Sequence, residues 1–370
     1  MSVPGARAPA KAACERCLRR SWLLAELSAR LEFCALERGR LVEVLALDDQ
    51  ALIAAIGGRR RDALSERYAA FEPESLECRT GHESVCRHDR AYPRLLEQPV
   101  APAMLHVAGG VARLRELTGG PAVAIVGAER ASDYGLEIAR SIARGLSASG
   151  VTVVSRLADG IATAAQVGAL ESRQGSIAVL GGGLKAGCPA RGRSLYGRVV
   201  QGGCAVAELP CLAGGRRWCK VASERIVAGL AGLTLVVEAA GDPGTMTDVM
   251  SARVLGRPVA AVPGRVTSRL SAGTHALLRC GAPLVCSAED VLDLLGLPPA
   301  PATTADRLEL PRRLRSVLDA VGEGSDTPDK LGSGRADPGG LLLALTELEL
   351  MGLLVRGDGG RYLPCGGLAG

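Results

Sequence analysis

Six short apolar runs punctuate the middle of the chain: AVAIVG (122–127), VTVVS (151–155), SIAVLG (176–181), CAVAEL (204–209), LTLVVEA (233–239) and PVAAVPG (258–264). None alternates apolar with polar positions, so each predicts a strand buried on both faces. The stretches between them carry helical spacing. In LEIARSIARGLSASG, Leu136, Ala139, Ile142 and Leu146 fall on one face and Gly150 is a stop signal. This alternation predicts an α/β unit around a mostly parallel sheet. Upstream, Leu23, Leu24, Leu27 and Leu31 recur at helical spacing. Downstream, PPAPATTADR (298–307) reads as a linker, followed by a helix over 311–321. The last segment, GGLLLALTELELMGLLVRGDGGRYL, has the helix, strand, turn and strand order of a winged-helix-like unit. Five regions result: an N-terminal helical domain (1–70), a Cys/His-containing joint (71–120), the α/β core (121–297), a linker (298–310) and the winged-helix-like domain (311–370).

Composition narrows the chemistry. Of 370 residues, 47% are hydrophobic and 22% charged, which supports a packed core and excludes wholesale disorder. Net charge is a mild +5 and aromatics are only 2%, so base stacking on many rings is excluded. A nucleic acid would be held through phosphates, by backbone amides and Arg/Lys. No apolar run reaches the roughly 18 residues that span a bilayer. MSVPGARAPAKAACERCLRR has no apolar segment of a signal peptide, and twelve cysteines in so long a chain suggest reduced thiols. A cytoplasmic location without membrane partners is expected.

The candidate chemistry lies where strands end. IVGAERASDYG runs from a strand through a loop into a helix, with Gly127 at the exit, and such a helix points its amide-rich N-terminus at ligands. VVSRLADGIATAAQVGAL (153–170) repeats the junction. SIAVLGGGLKAGCPARGRSL supplies a third, with Gly181, Gly182 and Gly183 freeing backbone for close approach. Cys14 and Cys17 have metal-knuckle spacing, and Cys78, His82, Cys86 and His88 follow. Together they predict a structural zinc, most simply on Cys14, Cys17, Cys78 and Cys86, with no other cofactor required.

Taken in order, YPRLL (92–96), VGAERASDYG, SRLADGIA, the Gly-rich loop, SERIVAGL (223–230), VVEAAGDPGTMTDVMSARVLGRPVAAVPG (236–264) and SAGTHALLRCGA (271–282) resemble the DNA-processing protein A (DprA/Smf) family over residues 92–290. The resemblance implies a Rossmann-like core, with a SAM-like N-terminal helical domain, that binds single-stranded DNA in a basic pocket. It also implies a homodimer, RecA recombinase as partner in DNA uptake and recombination, and no enzymatic activity. The residues expected to line the pocket are Gly127, Arg130, Ser132, Ser155, Arg156, Gly160, Gly182, Lys185, Arg193, Arg217, Lys220, Arg225 and Gly244.

Several positions depart from the family pattern. Glu129 stands where VGxR has Arg, with Arg130 next to it, and Arg156 replaces the Gly of the SG turn. Ala162 replaces the Asp of GID, Gln166 the downstream His, and Cys188 the Tyr before Pro189. Ser223 and Glu224 replace Arg and Asn of the RNR motif, leaving Arg225; His275 replaces the Asn of GxN. GGRRWCK, with Arg216, Arg217, Lys220 and Trp218 as a stacking surface, is the expected compensation. Two other readings stay open: a drifted paralogue binding a protein or nucleotide, and a nucleotide-monophosphate phosphoribohydrolase-like enzyme. The second rests on AAGDPGTMTDVMSA, where Asp248 is the nearby carboxylate. The LLLALTELELMGLL helix carries glutamates and no cation, which suits a protein contact better than duplex DNA.

Overall fold

The structure, a computed structural model, describes residues 13–36, 40–72, 82–96, 101–172, 174–188, 190–241, 246–298, 310–322, 325–332, 338–356 and 360–364. The six apolar runs become β3 (Ala122–Val126), β4 (Thr152–Arg156), β5 (Ser176–Val179), β6 (Cys204–Ala207), β7 (Leu233–Val236) and β8 (Val259–Ala261), all mutually parallel. Two further strands, β1 (Glu83–Cys86) and β2 (Met104–Ala108), extend this sheet in antiparallel sense from β6. The full order is β1-β2-β6-β5-β4-β3-β7-β8. From β3 the chain therefore winds outward to β6, then returns to the other side of β3 as β7. That reversal is the switch point outside which ligands bind in open α/β sheets.

Both faces are covered, as the unbroken apolar runs require. Along β3, Ala122, Ala124 and Val126 face one core, and Val123 and Ile125 the other. The first core is closed by α6 (Val111–Leu117), α10 (Arg217–Leu230), α11 (Thr247–Val254) and α12 (Ala272–Arg279). The second is closed by α7 (Asp133–Ala148), α8 (Ile161–Ala169) and α13 (Ala288–Leu294). On α7, Ala139, Ile142 and Leu146 are buried, and Gly150 follows the helix at φ +78°. The remaining core helix, α9 (Arg193–Gly202), packs Val199 against β5 and β6 in the interior of the sheet.

The N-terminal residues form α1 (Glu15–Glu26), α2 (Ser28–Leu36), α3 (Arg40–Ala46), α4 (Asp49–Ile56) and α5 (Arg61–Ala69). Their leucines do not close on themselves alone. Leu23, Leu24, Leu27, Leu31, Leu52 and Ile53 share a core with Trp218, Cys219 and Ala222 of α10. Trp218 is wholly buried there, its indole N–H donating to Ser28 Oγ at 2.9 Å. It is therefore a packing anchor, and the expected stacking surface is corrected.

At the other end lie α14 (Arg312–Gly322), α15 (Pro328–Gly332), α16 (Pro338–Leu350) and the antiparallel pair β9 (Leu354–Arg356) and β10 (Tyr362–Pro364). Leu314, Val317, Leu345, Leu348, Leu354 and Tyr362 make a core drawn only from this segment. The expected linker falls almost wholly on residues outside those described. Among the described residues no helix is long and apolar enough to cross a membrane.

Candidate functional site

The loops that leave β3, β4, β5, β6 and β7 share one edge of the sheet, because the strands are parallel and the helices follow them. Gly127, Arg130, Ser132, Arg156, Gly160, Gly182, Lys185, Arg193, Arg217 and Lys220 all lie along it. Gly244 lies outside the described residues.

Two glycines are required by close approach. A Cβ on Gly127 would come within 2.8 Å of the Glu238 carbonyl oxygen and the Ile161 side chain. Gly160 sits at φ +73°, and its Cβ would meet the carbonyl oxygens of Ala128 and Glu129 at 2.2 and 2.5 Å. Here the β3 and β4 loops press against each other. The Gly-rich loop likewise folds on its own chain: Gly183 N–H donates to Ala213 O at 2.8 Å and Lys185 N–H to Cys211 O at 3.0 Å. These amides are spent inside the protein rather than turned to a ligand.

The N-terminus of α7 is occupied in the same way. Glu238, buried just beyond β7, accepts from the Ser132 backbone N–H at 2.9 Å and from Ser132 Oγ at 2.5 Å. Ser132 Oγ in turn accepts from the Gly135 N–H at 3.2 Å and caps the helix. An internal carboxylate thus holds the place expected for a phosphate. In the sequence Glu238 ends an apolar run and falls in the VVEA block, and neither pattern reports that it holds Ser132.

Two expected contact residues face inward. Ser155 is buried and donates to Ile125 O at 2.8 Å, tying β4 to β3. Arg225 is buried on α10, where its Nη2 donates to Glu208 Oε1 and Oε2 at 2.6 and 2.7 Å. Neither presents a donor to a strand of DNA. Gln166, where the family pattern has His, bridges β4 and β5: its Nε2 donates to Ser155 O at 3.2 Å and its Oε1 accepts from Ser176 Oγ at 2.9 Å.

The departures at 129 and 156 belong together. Glu129 Oε1 accepts from Arg156 Nη2 at 3.0 Å and from Lys220 Nζ at 2.9 Å. Hydrogen bonds from Lys220 and Arg156 hold its carboxyl below the usual range despite partial burial. One acid is thereby answered by two cations. Behind them Glu224 on α10 and Asp248 on α11 are buried. Burial, then the charge of Asp248, pushes Glu224 up to about 8. Burial pushes Asp248 up to about 6, with Arg156 and Lys220 opposing. Arg130, Lys185, Arg193, Arg216 and Arg217 are exposed, and none makes an ion pair among the described residues.

A second cluster lies off this edge. Cys14, Cys17, Cys86 and His88 bring their ligand atoms within 4.8 Å of one another. Cys78 of the expected set lies outside the described residues.

The comparisons agree with this architecture. The family described as DNA recombination-mediator protein A matches residues 83–296. A DNA processing protein DprA of Mycobacterium tuberculosis is 40% identical over 260 residues, covering 68% of this chain and 66% of that one, so the match spans just under two thirds of the relative. Protein Smf of Escherichia coli is 31% identical over 313 residues, 80% of this chain and 83% of that one. The X-ray structure of DNA processing protein A from Streptococcus pneumoniae superposes with TM-score 0.61 at 27% identity, over 76% of this chain and 98% of that one. A DNA processing protein A of Helicobacter pylori, solved for its single-stranded DNA binding mode, shares the fold at TM-score 0.51 and 22% identity, over 58% of this chain and 95% of that one. With matching blocks in order along the sheet edge and a family match over more than half its length, the chain belongs to the DNA recombination-mediator protein A family.

Proposed function

We propose that the protein binds single-stranded DNA along the carboxyl edge of its parallel sheet and acts as a recombination mediator in the cytoplasm. In this reading it passes the strand to RecA recombinase, works as a homodimer that lengthens the footprint, and performs no chemistry of its own. The observation that carries the reading is the row of exposed cations Arg130, Lys185, Arg193 and Arg217, without ion pairs among the described residues, on the edge where the family's motifs converge. With the Gly183, Lys185, Ser132 and Gly135 amides already engaged within the protein, these side chains carry most of the grip on DNA. Each charge-assisted phosphate contact contributes about 1.5–3 kcal/mol.

α16 has a different role in this proposal. It exposes Leu342, Leu343 and Leu350 and carries glutamates, which suits a protein partner and leaves the winged-helix-like segment outside the DNA contact.

Titration of a labelled poly-dT strand by fluorescence anisotropy at several salt concentrations tests the reading. Submicromolar binding is expected, with log K falling against log salt at about −0.7 per phosphate neutralised. No binding at low salt overturns it. The paralogue that binds a protein or nucleotide would then stand, a reading favoured by Glu129 engaging both Arg156 and Lys220. The phosphoribohydrolase-like alternative gains nothing from Asp248, whose carboxyl is buried on α11; release of free base from a nucleoside monophosphate would revive it.

A further inference from the structure

We propose that Cys14, Cys17, Cys86 and His88 bind one structural zinc ion, with His88 as the fourth ligand, and that this centre ties the N-terminal helices to the edge of the sheet. The four residues come from two places far apart in sequence. Cys14 is the N-cap of α1, and the Cys17 and Leu18 amides turn back onto its carbonyl at 2.9 and 3.1 Å. This puts both thiols at one end of the helix. Cys86 closes β1, and a turn sealed by Asp89 N–H to Cys86 O at 2.8 Å carries His88 back over the strand end.

The distances fit a tetrahedron. With Zn–S near 2.3 Å and Zn–N near 2.05 Å, a tetrahedral site separates sulfur from nitrogen by about 3.6 Å. His88 Nδ1 lies 3.3 Å from Cys14 Sγ and 3.5 Å from Cys17 Sγ. Cys17 and Cys86 are buried beside Ala13 and Met104, while His88 is exposed and closes the solvent side. A zinc ion with three thiolates carries one negative charge, and Arg16 and Arg87 line the same cavity as Cys17 and His88. Soft thiolates with one imidazole select zinc over hard cations. The cluster lies on none of the loops of the proposed DNA edge, so the inference stands whether or not DNA binds.

What the centre joins is specific. β1 is the outermost strand on its side of the sheet, held by β2 alone among the described strands. α1 meets β2 through Ser21 Oγ, 3.1 Å from His106 Nε2. The zinc adds a second tie, from the start of α1 to the end of β1.

The test is metal analysis of the full-length protein, purified with added zinc and without chelator, together with the absorption spectrum of the cobalt(II)-exchanged protein. One zinc per chain is expected. The cobalt form should show a tetrahedral d–d band and thiolate-to-metal charge transfer of an intensity matching three thiolates. Cys78→Ser should keep the full metal content and the same spectrum, and Cys86→Ser should lose the metal. Retention on His88→Ala with loss on Cys78→Ser would overturn the ligand set. A metal-free protein, or a Cys14–Cys17 disulfide by mass spectrometry under non-reducing conditions, would overturn the site. Should Cys86→Ser not fold, the cobalt spectrum of the unaltered protein still decides between three thiolates and another count.

Discussion

Glu129 sits half-exposed between Arg156 and Lys220, and it withholds these two cations from the positive charge of the sheet edge. Replacing it by Gln releases both cations without removing either. Glu129→Gln is expected to tighten poly-dT binding about tenfold, the equivalent of about 1.4 kcal/mol. The salt slope should steepen by about 0.7 for each phosphate newly met. Unchanged affinity and slope in the anisotropy titration would show that Arg156 and Lys220 do not reach DNA. Glu224 poses a different test. Its carboxyl is raised from 4.5 to about 8 by burial and by Asp248, itself raised from 3.8 to about 6. Acids whose folded values are raised bind more protons when folded. Their contribution is therefore fully present below the unfolded values and is lost as pH rises through the folded ones. Stability should decline between about pH 4.5 and pH 8, and Glu224→Gln should flatten that decline. Denaturant melts across this range check it; a wild-type curve that rises with pH would contradict the buried pair.

At the level of elements, α10 belongs to two cores at once. Ile226, Val227 and Leu230 pack under the sheet, while Trp218, Cys219 and Ala222 reach into the N-terminal helices. Trp218→Ala is expected to destabilise the protein by about 3–5 kcal/mol, measured as a shifted denaturant midpoint. A loss below about 1 kcal/mol would mean that the helices hold without their anchor. The sequence made the parallel strands readable because each is an unbroken apolar run buried on both faces. It concealed β1 and β2: ESVC and MLHVA are short, one edge-bound, and lie in a polar joint whose pairing is decided by β6. The burial of Trp218 is concealed for a related reason. GGRRW surrounds it with charge, yet Arg216 and Arg217 point outward while the indole turns in.

Over the whole molecule, the site was legible as an edge and not as a set of contacts. The glycines and the cations fall where the βαβ rhythm puts them. Ser132, Ser155 and Arg225 look equally like phosphate ligands in a string of letters, but each is engaged by a partner distant in sequence: Glu238, Ile125 and Glu208. The carboxylates that claim donors come from strand ends, and no local pattern reports that. The zinc expectation shows the same limit. The sequence offers Cys14, Cys17, Cys78, His82, Cys86 and His88 as candidates and cannot rank the last four, while the turn after β1 brings His88 beside Cys14, Cys17 and Cys86 in the described structure.

The N-terminal leucines complete their core on α10, and even the last of them, Leu64, precedes Trp218 by about 150 residues of synthesis. At roughly 5–20 residues per second this is about 8–30 s in which an apolar helical surface waits for its partner. Until α10 is made, the leucine faces of the first helices lack the part of their core that Trp218, Cys219 and Ala222 supply, so a chain cut before α10 is expected to expose them.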